Sequence, residues 1–275
     1  MTSPDSCSGT PADLPDYAPI PRSALGPALN DQGYYVGRVE RNLYWVTDGT
    51  YQSAFLTARD GVVLFEAPPT IGGNLRRAVN EIAAANGLTN TVTHLVYSHH
   101  HDDHSGAASL FDGDVVRIGH EETRRLLLRD NSPARPAPEV IYDTNLSEDV
   151  PGYMAAPAIA LSYPWTHFIS GHLGRLASRE DVAVHQQYIA DIEASAQEAL
   201  ASVNPVPYFM KYGENAWAGV KGYLDEVTER TAAPVIAKYT GVLAAADIEI
   251  FTRATSFAIM QSLRLDRGPS APVHP

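Results

Sequence analysis

One cysteine, Cys7, stands in the whole 275-residue chain. A single thiol in a polar N-terminal stretch excludes an internal disulfide framework and any cysteine-rich zinc site within one chain, which leaves metal binding to histidine and carboxylate. Long apolar runs are missing too: although 44% of the residues are hydrophobic, none of the runs reaches the roughly 18 residues of a membrane span. Basic residues are the scarcer charge, 20 against 32 acidic, and the formal net charge of -12 steers polyanions away. Arg76-Arg77 and Arg124-Arg125 fall in helical patterns, where solvated or salt-bridged arginines are the ordinary outcome. The expected partner is therefore a small-molecule substrate, not nucleic acid and not a membrane. The opening MTSPDSCSGTPADLPDY carries acidic residues and prolines where an export signal needs a basic start and an apolar stretch, so a cytoplasmic location is expected. Several catalytic signatures are absent as well. There is no G-x-S-x-G elbow and no P-loop, and Ile71-Gly72-Gly73 is too short for a dinucleotide fingerprint.

What is present divides the chain into four parts. Residues 1–31 are rich in Pro, Ser, Asp and Ala without an apolar period and read as a loosely ordered leader. Residues 32–177 carry strands and helices. The segments YYVGRV, NLYWVT, YQSAFLTA and GVVLFEA are β-branched and aromatic, and Asp48-Gly49 and Asp60-Gly61 split them into hairpins. Leu75, Val79, Ile82 and Ala83 then recur at helical spacing up to Gly87. VTHLVY at 92–97 reads as a buried strand, followed by a strand at Val115–Ile118, a helix over Glu121–Leu128 and a strand near Val140–Tyr142. From 178 to 265 the pattern is helical. Ser178 with Glu180-Asp181 makes a helix start, Asn204-Pro205 a break, and Pro234 and Gly241 interrupt the period between Trp217 and Leu263. Residues 266–275 form a tail. The fold class expected is α+β with C-terminal helices.

One segment carries the chemistry. His99, His100, His101, Asp102, Asp103, His104, Ser105 and Gly106 concentrate four imidazoles and two carboxylates directly after a strand, where ligands commonly bind. Imidazole with carboxylate suits zinc, with iron or manganese as alternatives, and ligands two residues apart in an extended turn can converge on one ion while their neighbours face another. A serine triad is excluded, because Asp103-His104-Ser105 are consecutive and cannot align as orienter, base and nucleophile. The other histidines have plainer readings. His94 is a packing residue in its strand, His120 opens an incomplete HExxH with Arg124 in the second histidine position, His167 is a surface or packing residue or, as the lesser alternative, a substitute metal ligand, and His185 and His274 are solvated.

His99-x-His101-x-Asp103-His104-x-Gly106 resembles the HxHxDHxG signature of the metallo-β-lactamase superfamily of hydrolases. The hairpins at 34–67 look like that family's opening strands, and Phe168-Ile169-Ser170-Gly171-His172-Leu173-Gly174 is similar to its late Gly-His segment. The resemblance implies an αβ/βα sandwich, with His99 and His101 on a first metal and Asp103, His104 and His172 on a second. It further implies hydrolysis by an activated water, with Asp103 handling the proton, against a small ester, lactone, thioester or amide. Glu66 or Asp60 would support the ligands from outside.

The likeness has a gap. The family's third first-site histidine and its bridging aspartate have no counterpart between Asp130 and His172, where only His167 adds an imidazole. The junction at Thr144-Asn145 resembles two family segments joined with roughly 50–70 residues missing from a two-sheet layout. The second sheet is therefore expected to be incomplete, and the first metal site underfilled relative to zinc's four positions. One or two ions, a noncatalytic metal-binding or interaction relative as the alternative function, and cover of the exposed sheet by the C-terminal helices or a second copy in a homo-oligomer all follow as expectations.

Overall fold

The computed structural model describes residues 22–142, 150–172, 174–213 and 215–265. Cys7, the Thr144-Asn145 junction and His274 lie outside the described residues. One seven-stranded sheet runs in strict sequence order: β1 Tyr35–Glu40, β2 Leu43–Thr47, β3 Gln52–Ala58, β4 Gly61–Phe65, β5 Val92–Val96, β6 Val116–His120 and β7 Val140–Tyr142. The first four strands form an antiparallel meander, because each follows the last through a turn too short for a crossover. From β4 to β7 pairing is parallel, since helices now intervene. These are α1 Gly73–Ala85, the single turn α2 Asp102–Ser105 and α3 Glu121–Asp130.

Period-2 alternation decides which side chains build the core. Phe55, Leu64 and Leu95 sit in register on the helix-covered face and are fully buried with Leu75 and Val79 of α1. Their strand neighbours point the other way. Leu56 opposes Val63, Phe65 opposes Val96, and Ile118 opposes Val140, so a second apolar surface crosses β3 to β7. Phe65 is 37% and Val140 46% exposed, so this surface is open to solvent at both positions. Outside the sheet, one isolated bridge is found among the described residues, between Phe168 and Ala177, beside β1 and β2.

The second half is helical: α4 Val150–Ser162, α5 Arg179–Ser202, α6 Val206–Tyr212, α7 Ala216–Tyr239, α8 Ala244–Asp247 and α9 Glu249–Leu265. Ser178 caps α5 in a full capping box with Asp181, as its sequence indicates. Helices α4 and α6 had no sequence expectation; α4 contains Gly152 and Pro157, residues that break a helical reading. Pro234 does not interrupt α7. The proline leaves the Arg230 carbonyl without its usual amide, and Ser195 of α5 donates its hydroxyl to that oxygen at 3.3 Å and to the Thr231 carbonyl at 3.0 Å. Gly241, at φ 79°, ends the helical run as expected. No described helix is long and apolar enough to cross a membrane.

Residues 22–31, part of the expected leader, are packed against the late glycine segment. A Cβ on Gly26 would lie 1.7 Å from the Gly174 carbonyl oxygen, and Arg175 Nε donates to the Ser23 carbonyl at 2.9 Å. This contact between distant backbones has no local pattern.

Candidate metal centre

The histidine segment leaves the carboxyl end of β5, in the row where β4 and β6 also end. Glu66, just past β4, takes a left-handed φ of 62° and turns its carboxylate onto the backbone amide of Ser98, with a second backbone bond from His99. Burial pushes its carboxyl up to about 7 against those bonds. Glu66 therefore holds the loop rather than an imidazole tautomer. Asp60 stays in its turn between β3 and β4.

His101 is extended and starts α2, and its carbonyl accepts from the Ser105 amide at 3.1 Å and hydroxyl at 2.8 Å. This single turn presents Asp103 and His104 side by side. Gly106 closes it because any Cβ there would lie 2.6 Å from the Asp102 carbonyl oxygen. The turn is tied to β4 by Ala67 N to His104 O at 2.8 Å and Ala107 N to Ala67 O at 2.9 Å. Arg135, in the loop before β7, clasps the outside. Its Nη1 donates to the His100 carbonyl at 2.8 Å, and its Nε lies 3.2 Å from Asp102 Oδ1.

His172 arrives from 68 residues further along the chain than His104. Gln52, at the start of β3 and 2% exposed, donates its amide to Ser170 Oγ and to the Arg175 carbonyl, both at 3.0 Å, while its backbone N–H reaches the Gly171 carbonyl at 3.2 Å. These three bonds hold Ser170, Gly171 and Arg175 against the start of β3. His172 Nε2 then lies 2.9 Å from His104 Nε2, and Asp103 Oδ2 lies 3.5 Å from His104 Nε2 and 3.6 Å from His172 Nε2. One ligand atom from each of the three residues falls within 4.8 Å of the others. The donor set of two imidazoles and a carboxylate fits zinc or a similar divalent ion, whose bonds to such atoms are about 2 Å.

The electrostatics favour ligand forms. Burial lowers the His104 pKa, and burial followed by the neighbouring His104 and His101 brings His99 down to about 4, so both are neutral at pH 7. Burial alone would raise Asp103, but His104, a backbone bond, His172 and the Tyr51 hydroxyl outweigh it and keep the carboxyl below its ordinary value. His104 is enclosed, whereas the His172 side chain is 60% exposed, so the centre opens to solvent on that side.

The five expected ligands thus divide. Asp103, His104 and His172 converge; His99 meets His101 edge-on at 4.6 Å and His104 at 4.7 Å between ring centres, but His99 and His101 join no three-ligand group among the described residues. His167 is exposed and bonded to Thr166, so it does not substitute. His120 caps α3, its Nδ1 accepting from the Glu122 amide at 3.1 Å, and His94 meets the Thr93 hydroxyl at 3.0 Å. His185 is not solvated as expected: it sits between the rings of Tyr153 and Tyr188, because α4 covers its face of α5. Sequence reasoning passed over Tyr51, Gln52, Gly171 and Arg135 as supports. The first two read as ordinary strand residues, and nothing local marks them as reaching segments 50 to 120 positions away.

No family profile matches the chain, and no curated protein does. Similar solved structures are metallo-β-lactamases. The enzyme from Pontibacter korlensis is 13% identical, with 57% of this chain and 99% of that chain covered at a TM-score of 0.46. FIM-1 from Pseudomonas aeruginosa, in its mono-zinc form, is 14% identical, with 57% and 95% covered at 0.44. The chain from Hirschia baltica is 13% identical, with 41% and 53% covered at 0.32.

Proposed function

We propose that the chain is a metal-dependent hydrolase that holds one divalent ion, zinc in the first instance, on Asp103, His104 and His172, and acts on a small ester, lactone, thioester or amide. The observation that supports this reading is the meeting of Asp103 Oδ2 with the two Nε2 atoms in one solvent-open cluster. A bound ion would supply Lewis acidity, which makes water nucleophilic near neutral pH and stabilises negative charge developing on an attacked carbonyl oxygen. The protein's own part is positional. His104, buried and shifted toward its neutral form, would offer a ring nitrogen to the ion, and the exposed His172 would close the centre while leaving one side free for substrate. Asp103 has a second oxygen beyond the one facing the imidazoles, and its ionised carboxylate can accept the proton that water releases.

A second reading, a noncatalytic metal-binding relative, is favoured because His99 and His101 belong to no three-ligand group among the described residues, although the His99 ring packs on His104 at 4.7 Å between centres. Turnover separates the two. Zinc-loaded protein is expected to hydrolyse at least one member of a panel of small esters, lactones, thioesters and amides, with loss in Asp103→Ala and His104→Ala. Zinc bound by the native chain but no turnover across the panel would leave the metal-binding role and refute the hydrolase.

A further inference from the structure

Tyr51 lies in the turn before β3, and its place there is set locally. Asp48 Oδ1 accepts from the Thr50 amide at 2.9 Å and the Tyr51 amide at 2.8 Å, while the aromatic ring packs on the core beneath the sheet. From that fixed base the side chain enters the metal centre. Its hydroxyl donates to Asp103 Oδ2 at 3.3 Å, the same oxygen that faces both imidazoles. Its ring meets His104 edge-on at 5.5 Å and His172 at 4.9 Å, so one side chain touches all three converging residues.

We infer that Tyr51 is a positioning residue of the metal centre, acting through Asp103: the phenol occupies one lone pair of Oδ2 and leaves the other directed at the ion, while the ring sets the tilt of the two imidazoles. This inference rests on the metal-binding reading above. Its physical basis is general. A ligating carboxylate free to rotate coordinates through either oxygen or both, and an outer hydrogen bond that selects one orientation raises affinity about 10- to 100-fold. Tyr51 is well placed for this because its own position depends on Asp48 and the core, not on the ion.

The test uses the full chain and cobalt(II) as the probe, read by titration calorimetry and by the visible d–d bands, which report coordination number and ligand geometry. Tyr51→Phe keeps the ring and removes only the hydroxyl. It is expected to bind cobalt at least 10-fold more weakly with shifted d–d bands. Tyr34→Phe is the control: that buried hydroxyl donates to Glu81 at 2.8 Å, away from the centre, and its loss is expected to leave both readouts unchanged. Equal affinity and equal bands in wild type and Tyr51→Phe would overturn the inference while the metal-binding reading stood. An equal loss in Tyr34→Phe would overturn it too, by making the effect one of general destabilisation. Wild type that takes up no cobalt would overturn the metal-binding reading itself.

Discussion

His104 and His172, 68 residues apart in the chain, face each other through Nε2 atoms 2.9 Å apart. One is buried in a single helical turn at the end of a strand, the other exposed on a segment with little regular structure. Their meeting depends on what holds the second segment in place.

Gln52 is that support. Gln52→Leu removes the donors to Ser170 Oγ and the Arg175 carbonyl at a part-buried contact. The expected cost is about 1–3 kcal/mol by chemical denaturation. A larger effect is expected on function: the 170–175 segment becomes cleavable by a nonspecific protease in the variant, and metal affinity falls with it. Unchanged proteolysis would show that the segment is held by other means.

Gly171 sets how closely the segment can approach. A Cβ there would lie 2.8 Å from His104 Cε1, and the buried imidazole has no room to retreat. Gly171→Ala is expected to weaken cobalt binding about 10-fold or more, as displaced ligand supports do. The cooperative unfolding of the helices should be unaltered, which circular dichroism at 222 nm would report.

Asp181 links this segment to α5. It accepts from Arg175 at 2.7 and 3.0 Å and completes the Ser178 capping box; the Arg175 bond first, against burial, and then the Ser178 bonds hold its carboxyl well below the usual range. A carboxyl depressed on folding contributes stability that is present above its unfolded value of about 3.9 and is lost as pH falls below it. Asp181→Asn is expected to cost about 1 kcal/mol at pH 7, a figure kept small by the partial exposure of the pair. The gap between variant and wild type in urea midpoint should narrow steadily below pH 4. A gap that widens with acid would contradict the assignment.

The open sheet face makes a further prediction. Phe65 and Val116 project from it beside Val96 and Ile118, and both are more than a third exposed. The native chain is expected to enhance the fluorescence of an apolar dye at neutral pH, and Phe65→Glu with Val116→Lys to reduce that signal without loss of secondary structure. No enhancement would mean that this face is covered in solution.

Local pattern was enough for much of this architecture. The meander, α1, β5 to β7 and the start of α5 each announce themselves through alternation, turn residues or a cap. Asp103 and His104 are legible for the same reason, because four imidazoles after a buried strand have few structural uses. The rest depends on contacts that no window of sequence contains. Pro234 sits inside α7 because Ser195, on another helix, satisfies the carbonyl it frees. Gln52 matters because of partners 118 and 123 positions on. His185 is covered by α4, a helix whose glycine and proline hide it from periodicity. His99 and His101 stand beside Asp103 and His104 in the motif, but no third donor joins them among the described residues, and spacing alone does not supply one.

The central claim is a single ion on Asp103, His104 and His172. Metal content per chain, by plasma mass spectrometry on protein purified without a histidine tag, tests it most directly when wild type is compared with His172→Ala. The account predicts about one ion in wild type and almost none in the variant. No ion in wild type after exposure to zinc, or equal occupancy in the two proteins, would contradict it.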